Sequence, residues 1–245
     1  MLPIETIIFN PHPSVQIITL PTGQLCLTVD NALVNPDALV QLAATQSSQF
    51  ENAPFNAYPG IQLAMAAEFS NRLNDFFTLH IRGLLHARRT LHMHSRLAMV
   101  TLAPEQLQPR QSIPHRDSAW IEPNQTIAAS VLYLFNDENL GGTSFFAPKK
   151  SPQETSLLVH DSGTMSAEMF RQKYGIKPGY FNESNDYFEK IYTAPPKWNR
   201  LIFYDGSIFH SGDIPQPTHP GKLSADPHTG RLTLNGFFTC SRRAS

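Results

Sequence analysis

The chain has 245 residues, 41% of them hydrophobic and 16% charged, enough apolar surface to bury one large core and too much for general disorder. Nineteen Lys plus Arg against twenty Asp plus Glu leave a formal charge of −1, without the basic footprint that nucleic-acid phosphates demand. Cys26 and Cys240 have no Cys-x-x-Cys partner, and no apolar run approaches the roughly eighteen residues of a membrane span. The composition thus argues against a disulfide scaffold or thiolate zinc site, and a soluble cytoplasmic protein, neither secreted nor inserted in a membrane, is expected.

In chain order, "QLCLTVDNAL" predicts a strand. "NPDALVQLAATQ" predicts a helix, with Asn35 as N-cap and Pro36 at the first helical position. Over residues 62–85 the apolar Leu63, Ala66, Ala67, Leu73, Phe76, Phe77 and Leu84 recur at roughly helical spacing, which predicts one long amphipathic helix with Phe69 and Phe76 in the core. "TLHMHSRLAMVTL", "TIAASVLYLF", "TSFFAP", "RLIFYD" and "RLTLNGFFTC" read as strands bounded by Pro, Gly, Asn or Asp. Helices first and strands mostly later predict an α+β domain whose second half is an antiparallel sandwich or barrel. The polar stretch 149–198 has one short helical segment, "TMSAEMFRQKYG", ended by Gly175, and reads as an insertion or lid within a single domain spanning 1–245.

The tripeptide His115-Arg116-Asp117 in "IPHRDSAW" admits three readings: a kinase catalytic loop, two ligands of a metal ion, or a surface turn. The kinase loop requires Asn five residues after its Asp, where this chain has Glu122, and the glycine-rich loop, strand lysine and Asp-Phe-Gly are missing too. Residues i and i+2 of an extended strand share a face, so His115 and Asp117 can meet one ion while Arg116 points away. Taken alone the pair is a weak signal, more often a solvated turn than a metal site. In "NRLIFYDGSIFHSGD" an apolar strand turns at Gly206 and presents His210, a candidate third ligand. Two histidines and one carboxylate suit Fe(II) and leave positions open for a bidentate oxo acid and dioxygen. His92 and His94 also share a strand face, as in a cupin metal site, yet no Glu follows until Glu105. His80 and His86 sit near the helix at a spacing that shares no face; His12, His160, His219 and His228 fall in Pro- or Gly-rich loops and read as surface or structural.

Together, "PHRD", "ASVLYLFNDENLGGTSFF", "NRLIFYDGSIFHSGD" and "GRLTLNGFF" resemble the iron(II)- and 2-oxoglutarate-dependent dioxygenase superfamily, near its prolyl-hydroxylase-like branch and an uncharacterised bacterial group within it. The resemblance implies a double-stranded β-helix, or jelly-roll, core with N-terminal helices packed on one sheet. It implies iron ligation by His115, Asp117 and His210, and capture of the distal 2-oxoglutarate carboxylate by Arg231, whose planar fork suits a carboxylate. Tyr133 matches a tyrosine that bonds the same carboxylate, Thr233 shares the inward face of Arg231, and Gly141 and Gly142 make a tight strand connection. Two features depart from the family pattern: twenty-one positions separate His210 from Arg231, and Ser-Gly-Asp follows His210. Trp120, Tyr180 and Tyr187 are candidates for the substrate edge.

The function so implied is hydroxylation of an unactivated carbon of a small-molecule or peptidyl substrate, with dioxygen consumed and succinate and CO2 released. A jelly-roll binding module without turnover and a cupin-like metalloenzyme that uses no oxo acid are the alternatives. No nucleic-acid or membrane partner is expected.

Overall fold

The computed structural model describes residues 6–52, 58–117, 122–215 and 223–242. Among them the order is β1 (Val15–Thr19), β2 (Leu25–Val29), α1 (Asp37–Thr45), β3 (Glu51–Asn52), β4 (Gly60–Ala64), α2 (Ala67–His80), β5 (Ala87–Val100), β6 (Gln125–Tyr133), β7 (Thr143–Pro148), α3 (Pro152–Thr164), α4 (Ala167–Tyr174), β8 (Phe188–Ala194), β9 (Leu201–Asp205), β10 (Phe209–Gly212) and β11 (Leu232–Arg242). The strands form two antiparallel sheets, one of eight in the order β1-β2-β9-β6-β11-β5-β4-β3 and one of three in the order β10-β7-β8. The class is α+β, as expected.

Alternation along the central strands assigns the two faces of the large sheet. Leu232, Leu234 and Phe238 of β11, Leu97 and Met99 of β5, and Ala128 and Leu132 of β6 join the main core cluster. That cluster also takes Phe69, Leu73, Phe76 and Phe77 from α2, so the helix lies on this face. The rings of Phe77 and Phe238 stack with centroids 4.1 Å apart. Close approach of α2 depends on Gly236: a Cβ there would stand 2.6 Å from Ser130 Oγ and 2.9 Å from Leu73 Cδ2. The intervening residues, Thr233, Asn235 and Phe237 on β11, His94 and Arg96 on β5, and Val131 on β6, turn to the other face and line a cavity. Residues of β7, β10 and α3 close its remaining walls. No helix among the described residues is long and apolar enough to cross a membrane.

Local details depart from the sequence expectations for physical reasons. The helix expected over 62–85 is two elements, because Gln62 and Leu63 pair with Ala98 and Leu97 in the ladder to β5 and the helix starts only at Ala67. Gly60 in β4 lies against β5 so closely that a Cβ would meet the Met99 carbonyl oxygen. Asn35 does not cap α1: its Oδ1 accepts from the Ile8 amide at 3.0 Å, its Nδ2 donates to the Thr6 carbonyl, and Pro36 takes the N-cap position. Stretch 149–198 holds more order than its polarity suggested. Ser151 and Glu154 form a capping box that starts α3, with Pro152 in the first turn. α4 follows and ends on Gly175 at φ +70°, a left-handed conformation suited to glycine. β8 then pairs with β7 in the small sheet. Trp120 lies outside the described residues.

Candidate metal centre

His115 and His210 meet across an isolated antiparallel bridge, each amide donating to the other's carbonyl at 2.9 Å. His210 belongs to β10, which pairs with β7 through His210 and Phe145, so its backbone is fixed on both sides. Two residues beyond His115, the Asp117 amide donates to the Gly206 carbonyl at 2.8 Å. The turn at Gly206 packs closely on this segment: a Cβ there would stand 3.1 Å from that of Asp117. These bonds converge the three side chains: one ligand atom from each of His115, Asp117 and His210 lies within 4.8 Å of the others.

The protonation pattern of this trio favours a cation at its centre. His210 Nδ1 lies 2.9 Å from the Ile208 carbonyl oxygen, which only accepts, so Nδ1 carries the proton and Nε2 a lone pair. Burial lowers the pKa of His210 to about 4. Burial, with His210 beside it, lowers His115 to about 4 as well. Both rings are therefore neutral near neutral pH. Asp117 is pushed the other way, upward, by burial. Its Oδ2 is buried without a hydrogen-bond partner and faces His210 Nε2 at 3.5 Å, lone pair toward lone pair. His115 Nε2 is 3.9 Å from the other carboxylate oxygen. A buried acceptor left unpaired costs about 1–3 kcal/mol, and a divalent ion held by these nitrogens and oxygens would remove that cost. The donor set therefore fits a metal such as Fe(II).

Arg231 stands just before β11 and is 5% exposed. Its Nε and Nη2 donate to the carbonyls of Gly141 (3.1 Å) and Gly142 (2.8 Å), so the two glycines hold this side chain as well as turning the chain. Gly141, at φ +81°, packs where a Cβ would meet the Asp213 carbonyl oxygen. No carboxylate among the described residues forms an ion pair with Arg231, although the cavity that it lines also contains the trio. Thr233, fully buried, lines the same cavity, with its hydroxyl 3.4 Å from the Ala98 carbonyl. Tyr133 is also fully buried, in a second core cluster. Its hydroxyl donates to Thr143 Oγ1 at 2.8 Å, and Thr143 lines the cavity. Tyr180 lines the cavity and donates to the Leu102 carbonyl, whereas Tyr187 packs against Tyr174.

Among the lining residues that the sequence reading did not single out, two flank the site. Tyr58, its pKa raised by burial, adjoins Arg231 and Thr233. Arg96 points into the cavity from β5, with Nη1 donating to Gln62 Oε1 at 2.9 Å and its guanidinium 4.5 Å from the Phe237 ring centroid. The only signal for Arg96 is a charge on the face opposite Leu97 and Met99, two residues after His94. Among the described residues, His92 and His94 belong to no metal-competent cluster; their rings lie 5.7 Å apart, and His94 stacks on Phe237.

Fold and centre together define an antiparallel α+β protein with a two-histidine, one-aspartate candidate metal site in a deep cavity. The chain belongs to a family of unknown function, DUF6445, whose model matches residues 11–238. No curated protein matches it. Among solved structures it is similar to the non-heme alpha-ketoglutarate-dependent epimerase SnoN from nogalamycin biosynthesis, at 13% identity and a TM-score of 0.42, over 89% of this chain and 80% of that one. It is also similar to an N-substituted L-amino acid dioxygenase from Burkholderia ambifaria AMMD in complex with alpha-KG, at 11% identity and a TM-score of 0.37, over 89% and 86%. A third likeness is to EvdMO1, at 13% identity and a TM-score of 0.39, over 94% of this chain and 56% of that one.

Proposed function

We propose that the chain is an Fe(II)- and 2-oxoglutarate-dependent oxygenase on a jelly-roll core, with His115, Asp117 and His210 as iron ligands and Arg231 as the anchor of the distal carboxylate of 2-oxoglutarate. The observation that carries this reading is the presence, in one cavity, of a convergent His-Asp-His set and a buried guanidinium with no carboxylate partner among the described residues. A buried charge is costly unless an opposite charge meets it, and a dicarboxylate that also reaches the metal would supply that charge. Thr233 and Tyr58 flank the guanidinium.

Bound iron would supply dioxygen activation, coupled to oxidative decarboxylation of 2-oxoglutarate to succinate and CO2, with hydroxylation of an unactivated carbon as the outcome. The chain's own residues do three things. The bridge between His115 and His210 fixes the spacing of the imidazoles, and the Ile208 carbonyl holds His210 in the tautomer that presents Nε2. The carbonyls of Gly141 and Gly142 orient the Arg231 fork. The apolar walls around His210, Tyr204 and Phe145 among them, keep bulk water from its inner side.

The test is anaerobic addition of 2-oxoglutarate to iron-loaded protein, which should produce the broad visible charge-transfer band of a chelated oxo acid, followed by oxygen and a succinate assay. His115→Ala should abolish the band. Iron binding without a band would instead favour a metal protein that uses no oxo acid.

A further inference from the structure

The whole chain is nearly neutral, but the cavity is not. Its described lining includes Arg96, Arg110, Arg116, Lys150 and Arg231 against a single carboxylate, Asp117. With a metal dication and a 2-oxoglutarate dianion offsetting each other, Asp117, whose charge acts on Arg96, leaves a net excess of four positive charges; apart from Arg231, the anchor of the oxo acid, four cationic side chains line the cavity. They fall into two tiers. Arg96 lies inside, with a buried Nε that has no hydrogen-bond partner, one nitrogen tied to Gln62, and an aromatic face to stack on. Arg110, Arg116 and Lys150 stand further out, where Arg110 donates to the Gly163 carbonyl of α3 at 3.2 Å and Arg116 lies 3.9 Å from the centroid of the Phe209 ring. At about 1070 Å³ the cavity has room for a second small molecule beside an oxo acid.

Building on the oxygenase reading, we propose that the substrate to be oxidised is an anion whose carboxylate, phosphate or sulfonate group is received by Arg96, with the outer cations drawing it in. A cleft lined by one sign of charge concentrates the field and gathers counter-ions, and an arginine with a free buried donor offers the charge-assisted bond that fixes orientation. A neutral substrate would leave Arg96 Nε unsatisfied and make no use of the excess positive charge of the cavity.

A matched pair of dyes tests this on Zn(II)-loaded protein saturated with 2-oxoglutarate, so that Arg231 is occupied: anilinonaphthalene sulfonate, and phenylnaphthylamine, which differs by lacking the sulfonate. The sulfonate should bind roughly tenfold or more tightly than the neutral dye, the size of one charge-assisted hydrogen bond, and should weaken as salt rises. Replacing Zn(II) by Mn(II) should broaden the bound dye's proton resonances, which places it in the cavity. Arg96→Gln should bring the two affinities together, and Arg96→Lys should restore part of the gap. Equal affinities in the unmutated protein, resonances untouched by Mn(II), or a preference indifferent to Arg96→Gln in a variant that unfolds at the normal temperature would each overturn the proposal. The oxygenase reading fails separately, on the missing iron band; a band with no sulfonate preference sinks this inference alone.

Discussion

His210 Nε2 and Asp117 Oδ2 face each other at 3.5 Å with no hydrogen bond between them. The Ile208 carbonyl claims the ring's other nitrogen, and burial depresses the imidazole's pKa to about 4, so a histidinium cannot form near neutral pH. The imidazole therefore brings no proton to this contact, and burial pushes the Asp117 pKa upward. His210 Nε2 and Asp117 Oδ2, placed by the His115–His210 bridge and by the Asp117 amide bond to Gly206, are a cost to the metal-free protein that a metal ion converts into affinity.

His210→Ala should therefore abolish specific metal binding while leaving the fold intact, because the bridge to His115 uses backbone atoms only. The loss should exceed the roughly 10–100-fold that removal of an outer-sphere partner costs. Thermal unfolding with and without Fe(II) or Mn(II) checks this. Metal at about a hundred times its dissociation constant should stabilise the unmutated protein by about 2.7 kcal/mol and the variant by almost nothing.

Asp117→Asn separates the cost from the benefit. In metal-free protein the amide should be tolerated or mildly stabilising, by up to about 1 kcal/mol, because it relieves the burial of a carboxylate and offers an N–H to His210 Nε2. Metal affinity should fall sharply. Urea denaturation of the empty protein together with a metal titration shows whether the two effects have opposite signs.

Arg231→Lys keeps a positive charge but loses the planar fork and one of the bonds to Gly141 and Gly142. Affinity for 2-oxoglutarate should drop roughly 10–100-fold, with metal affinity unchanged. Calorimetric titration of 2-oxoglutarate into Zn(II)-loaded protein measures it. Equal affinity would mean that the anion does not touch Arg231.

What was legible in the sequence was local. His115 and Asp117 are two apart on an extended segment, and His210 follows an apolar strand and a Gly206 turn, so spacing and polarity sufficed to nominate them. Arg231 came into view only with the order of the motifs. Arg96 did not, since a lone charge in a half-buried strand looks the same whether its face meets solvent or a cavity; only the positions of β7, β10 and α3 decide that. The fused helix over 62–85 failed because Leu63 sits at helical spacing from the α2 residues while its ladder partner, Leu97, is thirty-four positions away. Helix α3 was missed because Leu157, Leu158 and Val159 are adjacent and only Leu158 is buried; its Ser151–Glu154 capping box was the stronger signal.

Gly236→Ala tests how tightly α2 is seated. The new methyl would stand 2.6 Å from Ser130 Oγ and 2.9 Å from Leu73 Cδ2, so these buried side chains must turn aside or the helix must shift. Overpacking of this kind costs about 1–3 kcal/mol. Chemical denaturation should show that loss, and Gly236→Ala combined with Leu73→Val should lose less than the sum of the separate changes.

Asp30 gives the fold an acid limit that has nothing to do with the metal site. It accepts from Arg200 Nε (2.7 Å) and Nη2 (3.1 Å) and from Lys197 Nζ (2.8 Å), closing the end of β2 against β9. The Arg200 bonds above all hold its carboxyl at about 2, below the ordinary 3.8. A depressed folded-state pKa contributes stability that is fully present above the ordinary value and is lost as pH falls from about 4 through about 2. Solvent screening limits the contribution of such a partly exposed cluster to about 1 kcal/mol. Asp30→Asn should therefore be less stable than the unmutated protein at neutral pH by about that amount, and the gap should narrow at about pH 3. Urea midpoints at the two pH values decide it, and a gap that stays constant or widens in acid would show that Asp30 is not the group being titrated.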